Sequence, residues 1–211
     1  MRISELSRVT GVPIPTIKFY LRERLLPAGE RTAANQATYD GGHVRRLGLI
    51  RVLVDVGGLG IGAVRGVLAA IGRRDASLHE VLAEAHRALR RTDLPAPEVL
   101  APVRAETDAW LERRGWVLDP SSPPRDDLAA TLLALRQLGW ETGPEIFERY
   151  ADAADAVAAA EVEHVAGLPD REAAVRTMVI GTVLFERALL ALRRLAHEHH
   201  SRLHLDDDGR R

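Results

Sequence analysis

The chain has 211 residues, of which 46% are hydrophobic and 28% are charged, a composition typical of a globular protein with ample material for a core. It contains no cysteine, which excludes disulfides, thiolate metal sites and a cysteine nucleophile. The formal charge of −1 hides an asymmetry, because residues 1–75 carry twelve Lys or Arg and only six Asp or Glu. A basic N-terminal region joined to an acidic remainder indicates a nucleic-acid-binding module followed by a regulatory or dimerising part.

The first predicted element is a short helix with one apolar stripe, formed by Ile3, Leu6 and Val9. Ser4 is expected to cap its start and Gly11 to end it. A second helix begins near Pro13 or Pro15, positions where a helix tolerates proline. Its buried face is expected to comprise Ile14, Ile17, Leu21 and Leu25, and its opposite face Pro15, Lys18, Phe19 and Arg22. Two short helices joined by a Thr-Gly-Val turn are typical of a helix-turn-helix.

A segment without helical period follows, from Pro27 to Thr38, and its Pro, Gly and polar residues predict a short hairpin or wing. Helical periodicity resumes at Gly42 and stops at Gly57-Gly58. Another helix runs from Ile61 to Gly72.

The remainder is predicted to be helical with proline punctuation. Ser77 is a plausible N-cap of a helix to about Arg91, because Glu80 would complete a capping box. Further helices are predicted over residues 98–114, 126–138, 144–166 and 169–201. The sequence therefore predicts an all-α fold, an N-terminal winged helix-turn-helix with a small β wing followed by a C-terminal helical bundle. The predicted boundaries are 1–75 for the DNA-binding domain, 76–118 for a helical linker or dimerisation region, 119–203 for a regulatory domain and 204–211 for a flexible tail.

The N-terminal module, residues 1 to about 71, resembles the MerR family of bacterial transcription regulators. The matching residues are Ile3, Glu5-Leu6, Thr10-Gly11-Val12, Thr16-Ile17-Lys18-Phe19-Tyr20, Leu25-Leu26-Pro27, Tyr39, Arg46-Leu47, Ile50, Gly58, Ile61 and Val64. The family pattern after the turn is Thr-hydrophobic-Arg-Tyr-Tyr-Glu. Here Lys18 replaces the arginine, Phe19 the first tyrosine and Leu21 the acid, so that a cation and an aromatic ring are retained.

The resemblance implies a homodimer bound to a palindromic promoter, with the second helix in the major groove and the wing on the flanking backbone. In many family members the protein distorts the promoter so that RNA polymerase can engage both of its elements. The polymerase is thus an indirect partner. No cofactor is expected.

The residues expected to contact DNA offer cations, hydroxyls, amides or rings on this module. In the second helix they are Pro15, Thr16, Lys18, Phe19, Tyr20 and Arg22, in and after the wing Arg31, Asn35, Gln36 and Tyr39, and at the start of the third helix His43, Arg45 and Arg46. Lys18 and Arg22, four residues apart, could reach phosphates or guanine edges. Phe19 and Tyr20 could equally belong to the core.

The second half is where a signal would be sensed. Most aromatic residues outside the N-terminal module lie there, and a pocket lined by them would suit a hydrophobic small molecule. The candidates for such a ligand site are Trp110, Trp116, Trp140, Phe147, Tyr150 and Phe185, and the alternative is that they are ordinary core. Glu141, Glu145 or Glu148 near such a pocket could favour a cation.

A histidine cluster near the C-terminus gives a second alternative. His197, His200 and His204 are spaced three and four residues apart and could share one helical face. Histidine is also favoured at helix C-termini by the dipole, and no metal site is assigned. The dimer interface stays open between the 77–91 and 98–114 helices together and the long 169–201 helix.

The sequence thus predicts a DNA-binding transcription regulator modulated by a small organic ligand. The alternative is a ligand-independent regulator or architectural protein whose helical domain binds a protein partner. No phosphate-binding glycine loop, nucleophile elbow or zinc-protease motif is present in the sequence, so an enzyme is not expected. The expected location is cytoplasmic, on the nucleoid, with no membrane association, since the most apolar segment is too short to span a bilayer.

Overall fold

A computed structural model describes residues 1–33, 36–73, 75–90 and 93–204. The structure is 73% helical with one small sheet in the described part of the chain, so the predicted fold class is confirmed. The helices are α1 (Ile3–Thr10), α2 (Ile14–Arg22), α3 (Gly41–Arg51), α4 (Ile61–Gly72), α5 (Leu78–Ala88), α6 (Pro97–Arg113), α7 (Pro124–Gln137), α8 (Glu148–Ala166) and α9 (Arg171–His204). The strands are β1 (Glu30–Ala33) and β2 (Gln36–Thr38), which pair antiparallel.

The helix ends follow from local chemistry. Ser77 accepts a hydrogen bond from the Glu80 amide while the Glu80 carboxylate accepts one from the Ser77 amide, which confirms the predicted capping box. Gly11 ends α1 in the left-handed conformation, as predicted. The prediction that Ser4 caps α1 is wrong, because the helix already begins at Ile3 and the N-cap position is Arg2, which makes no side-chain cap.

Two helices differ in kind from the prediction. The helix that starts at Gly41 continues past Arg51 as a π-helix over Val52–Val56, where the hydrogen-bond ladder widens before Gly57. The predicted 144–166 helix opens with a 3₁₀ turn over Pro144–Phe147 before α8 begins.

The chain divides into two compact units, and the N-terminal one is discontinuous in sequence. It comprises Met1–Leu68 and Val179–Arg211, and we call it the head unit. Its core includes Leu6, Ile17, Leu25, Leu47, Ile50, Leu53 and Val64, each fully buried. Val183 of α9 packs at Gly57, where a β-carbon on the glycine would lie 2.5 Å from the Val183 Cγ1 atom. Arg187 donates a hydrogen bond to the Gly57 carbonyl at 3.0 Å. Residues more than a hundred positions apart thus complete one core.

The second unit, Ala69–Met178, is built on the pair α6 and α7, and we call it the helical unit. Leu100 and Val103 of α6 pack on Ala129 and Leu132 of α7. A neighbouring cluster joins Trp110, Leu111 and Ala151.

Ion pairs join α6 to α7 beside this core. Asp108 accepts hydrogen bonds from both Arg104 and Arg125, and Arg104 also pairs with Asp126. A bidentate pair joins Arg136 to Glu106, and the bonds from that guanidinium hold the pKa of the Glu106 carboxyl below its usual range.

Burial of His86 on α5 makes stability depend on pH. Desolvation, aided by the nearby charge of His79, lowers the pKa of His86, so the folded protein favours the neutral imidazole. The unfolded chain takes up a proton near pH 6.5, before the folded protein does, and stability is therefore lost as the pH falls below about 6.5.

We expect His86→Gln to reduce this loss of stability, because glutamine stays neutral at every pH in the range. Between pH 7 and pH 5 the melting temperature of the variant should fall less than that of the wild type, measured by circular dichroism. Parallel declines in the two proteins would contradict the assignment. His164→Gln serves as the control, because His164 is exposed on α8 and is not among the groups that shift the pKa of His86.

Candidate nucleic-acid interface

The predicted reading helix α2 presents one exposed face. Pro15, Lys18 and Arg22 are exposed, and their spacing of three and four residues places them on the same side of the helix. Thr16 and Phe19 flank that side and are half-buried. Cationic side chains of this kind can reach phosphates or guanine edges in the major groove.

The buried side of α2 differs from the prediction. Ile17 and Leu25 are fully buried as expected, but Ile14 and Leu21 are only partly buried and Tyr20 is 6% exposed. Burial, together with the carboxylate of Asp55, raises the pKa of the Tyr20 phenol. Tyr20 is therefore a core residue of the head unit and is not among the exposed residues of α2.

The wing formed by β1 and β2 carries two of the expected contacts. Arg31 of β1 and Gln36 of β2 are both exposed, while Asn35 lies outside the described residues. Gly29 precedes β1 at a close approach, because a β-carbon there would lie 2.6 Å from the Thr38 carbonyl oxygen and 2.9 Å from the Tyr39 ring. A side chain at Gly29 would push the two strands apart.

Tyr39 and His43 at the base of the wing have structural roles. Tyr39 is 8% exposed, and its carbonyl accepts a 2.7 Å hydrogen bond from the amino group of Met1. The His43 ring lies 2.6 Å from the Asp40 carboxylate and packs edge-on against the Tyr39 ring. The contact with His43 lowers the pKa of Asp40. These groups fix the junction of wing and α3, so they position other contacts instead of offering free ones.

Adjacent arginines at the start of α3 have different environments. Arg45 is exposed, whereas Arg46 is half-buried and donates a 2.6 Å hydrogen bond to the carbonyl of Leu25. That bond closes the turn after α2 onto α3. Burial lowers the pKa of Arg46 from its usual value, although a guanidinium stays charged at neutral pH.

Sequence reasoning missed two cations near this surface. Arg2 is exposed and donates to the Gln36 side chain at 3.3 Å, so it lies beside the wing. Arg24 is exposed just after α2 and has a left-handed backbone with φ of 57°. The run Arg22-Glu23-Arg24 at the helix end was the available signal for Arg24, but no local pattern links Arg2 to the wing.

The aromatic residues proposed for a ligand do not form one pocket in the helical unit. Trp110 is 3% exposed and clusters with the partly buried Trp116 and Phe147, whereas Trp140 and Tyr150 are more than half exposed. Phe185 belongs to the head unit. Of the six candidates, the helical unit brings Trp110, Trp116 and Phe147 together, and a ligand site at these aromatic residues stays a prediction.

The guanidinium of Arg114 occupies the space between the two indoles. It lies 5.6 Å from the centroid of the Trp110 ring and 5.6 Å from that of Trp116. It pairs with Asp152 and Glu148, and the hydrogen bond that it donates to Asp152 is the main cause that raises its pKa. Glu148 also accepts a hydrogen bond from the Trp110 indole at 3.0 Å. A cation, two indoles and two carboxylates thus form one compact cluster.

An open cavity of about 350 Å³ in the head unit is lined by Thr10, Val44, Gly48, Arg51, Val52, Asp55 and Val56. Among the residues described, no group of three or more His, Asp or Glu is arranged to hold a metal ion, and the rings of His200 and His204 stack on each other at 6.0 Å. Within the same residues, no helix is both long and apolar enough to cross a membrane.

Comparison with known proteins decides the family. Residues 1–71 match the family model described as the MerR HTH family regulatory protein. The crystal structure of the putative transcriptional regulator SCO5550 from Streptomyces coelicolor A3(2) is similar over 97% of this chain and 97% of that one, with 33% sequence identity and a TM-score of 0.72. The chain belongs to the MerR family. It is a DNA-binding transcription regulator with a helical second part. A search of curated proteins gave no match.

The two adjacent arginines of this MerR protein give a matched pair of variants. Arg46→Ala should lower the free energy of unfolding by about 1–3 kcal/mol, because it leaves the carbonyl of Leu25 without its partner. Arg45→Ala should change it by less than about 0.5 kcal/mol, since that side chain is exposed. Urea unfolding followed by circular dichroism measures both values. Equal losses in the two variants would contradict the role assigned to Arg46.

Proposed function

We propose that this protein acts as a dimer on a palindromic promoter and that α2 supplies the groups that read the DNA. The observation that carries the proposal is the exposed face of α2, where Lys18 and Arg22 are exposed, together with the exposed wing residue Arg31. A two-fold dimer presents two such faces, and this symmetry matches an operator made of two half-sites.

The proposed contact set is narrower than the one derived from sequence. It keeps Pro15, Thr16, Lys18, Phe19 and Arg22 on α2. It keeps Arg31, Gln36 and Arg45 beyond that helix and adds Arg2 and Arg24, because these five side chains are exposed. Tyr20, Tyr39, His43 and Arg46 act by holding the surface in shape. Phosphate contacts position the protein, and base-edge contacts from α2 specify the sequence.

We infer further that binding distorts the promoter, as the family resemblance implies, so that RNA polymerase engages both of its elements. Footprinting on the DNA upstream of the protein's own gene tests this together with the operator symmetry. Two protected half-sites flanking a hypersensitive centre are expected. A single protected half-site without a hypersensitive centre would contradict both dimeric binding and distortion. A regulator of this kind works in the cytoplasm, on the nucleoid.

Replacement of both cations of α2, Lys18→Ala with Arg22→Ala, should weaken operator binding and flatten its salt dependence. Each lost phosphate contact reduces the slope of log K against log salt by about 0.9, because fewer counterions are released. Titration of labelled operator at several salt concentrations measures both effects.

The matched control is Arg149→Ala with Arg176→Ala, which removes the same charge from exposed positions outside the DNA-binding surface. This pair should leave the salt slope unchanged. If both double variants changed the salt slope equally, the effect would come from the net charge of the protein alone. That result would contradict the role of α2 as the reading helix.

We also propose that a small organic ligand modulates the output by binding the aromatic cluster around Arg114. Two indoles with Glu148 and Asp152 at their edge suit a flat organic cation, which would compete with the guanidinium for the same rings and carboxylates. The near-complete burial of Trp110 favours the alternative, in which the cluster is core and the helical unit binds a protein partner without a ligand.

Aromatic cations should raise the melting temperature of the wild type and quench its tryptophan fluorescence, because binding stabilises the folded state. Asp152→Asn should weaken this response, whereas Glu163→Gln, which removes the same charge from an exposed position in the last turn of α8, should not. Absence of any shift across a panel of such cations, with operator affinity unchanged, would leave the ligand-independent regulator as the function.

A further inference from the structure

The C-terminal part of α9, residues 185–204, is exposed to solvent in the part of the chain that the structure describes. Every residue from Phe185 to His204 is exposed, yet Phe185, Leu189, Leu192 and Leu195 are large apolar side chains with exposed fractions of 53, 49, 62 and 60%. Isolated helices of this length are marginal in water, and helical stability in proteins comes mainly from packing of an apolar face. A contiguous exposed apolar face of this kind marks an interaction surface.

These residues lie on the side of α9 opposite to the side that contacts Gly57. Val183 and Arg187, which contact Gly57, are four residues apart on one side of the helix. At 3.6 residues per turn, Phe185, Leu189 and Leu192 project from the opposite side. We call the set Phe185, Ala188, Leu189, Leu192, Leu195 and Ala196 the outer stripe. The contact of α9 with Gly57 therefore leaves the outer stripe exposed.

The outer stripe has the spacing of a coiled-coil seam. Phe185, Leu189, Leu192 and Ala196 follow steps of four, three and four residues, the alternation of heptad core positions. Leu195 and Ala188 flank the seam on one side, and Glu186 and Arg193 flank it on the other. The surface therefore suits another helix that lies nearly parallel or antiparallel to it.

When the outer stripe pairs antiparallel with the same stripe of a second copy of the chain, the side chains that face each other along the two helices are complementary in size. When Leu189 lies opposite Leu192 of a second copy, Phe185 lies opposite Ala196 and Leu195 lies beside Ala188. Large side chains then face small ones, which is how packed layers interdigitate. The two-fold axis repeats each pairing, as an isologous interface requires.

The charges on the flank match the same register. Glu186 then lies within reach of Arg193 of the second copy, and the symmetry axis creates this pair twice. Arg193 also interacts within its own chain, so its cation serves both contacts. A parallel pair would instead set Arg193 beside Ala188 and His200 beside Leu195, with no opposite charges facing across the seam. The sequence of the flank therefore favours the antiparallel arrangement.

We propose that residues 185–196 of α9 form an antiparallel two-helix interface with the same segment of a second copy of this chain. The interface deepens the proposed function and rests on it, because it supplies the dimer that a two-fold operator needs. It also decides between the two sets of helices that the sequence left open for dimerisation, in favour of the last helix.

Charge reversal tests the partner and the register together. Glu186→Arg alone should weaken self-association roughly tenfold, because it creates two repulsive pairs in place of two attractive ones. Arg193→Glu alone should have a similar effect, and the double reversal should restore association. Analytical ultracentrifugation of the full chain over a series of concentrations measures the dissociation constant, and circular dichroism verifies the helix content.

The matched control is Glu163→Arg, which makes the same charge change at an exposed position of α8. It should leave the dissociation constant unchanged. Failure of the double reversal to restore association in a folded protein would overturn the proposed register.

Cysteine crosslinking gives a test that does not depend on weakening the dimer, since the chain has no cysteine of its own. Phe185→Cys combined with Ala196→Cys should form a disulfide-linked dimer on oxidation. Neither single variant should do so, because like positions would be about 16 Å apart along antiparallel helices, at 1.5 Å per residue. Efficient crosslinking of Phe185→Cys alone would show parallel helices and overturn the proposal.

The outcomes separate this inference from the proposed function. A wild type that is dimeric, and stays so with Leu189→Asp and Leu192→Asp together, would place the interface elsewhere and overturn the inference, while dimeric DNA binding would stand. A monomeric wild type would overturn the inference and the proposed dimer, but not the role of Lys18 and Arg22 in binding DNA. A dimer that crosslinks as expected but does not bind its upstream DNA would support the interface and contradict the proposed operator.

Discussion

The contact between Gly57 and α9 holds the head unit together. Gly57 has no side chain, and Val183 packs into the space that a β-carbon would fill while Arg187 satisfies the glycine carbonyl. Leu53, whose carbonyl lies beside the same space, is fully buried in the core that also includes Ile17 of the reading helix. The position of the exposed α2 face therefore depends on residues of α9 as well as on the residues around it.

The surface proposed to bind DNA contains two kinds of side chain. Some are exposed and can change conformation, and others are held in place by hydrogen bonds. Lys18, Arg22 and Arg31 are exposed and can adjust to a duplex. Around them, Arg46 holds the turn after α2 and the Met1 amino group holds the strand end at Tyr39. Flexible cations on a fixed base suit a protein that must follow phosphates and still keep one helix in register with base edges.

Local patterns predicted local features well. The capping box of Ser77 and Glu80, the end of α1 at Gly11 and the exposed side of α2 all follow from residues within one or two turns. The burial of Tyr20 could not be derived in this way, because neighbouring positions on a helix differ by about 100° and several rotations of the buried face fit the same spacing. The docking of Val183 at Gly57 depends on residues more than a hundred positions apart, and no period in the sequence reports such a contact. The candidate aromatic residues share only their chemical type, and residue type alone cannot assign Phe185 to one unit and Trp110 to the other.

Because the head unit is discontinuous in sequence, a single cut in the chain does not separate the domains of this regulator. The family model ends at residue 71, and a module of that length is the natural choice for domain excision or for a chimera with a foreign input domain. Such a fragment would lack Val179, Val183 and Arg187, so the apolar surface around Gly57 would be left open to water. In this protein residues 1–71 therefore cannot be transferred by themselves as a DNA-binding module. A graft that keeps its DNA-reading surface intact has to carry the last helix as well.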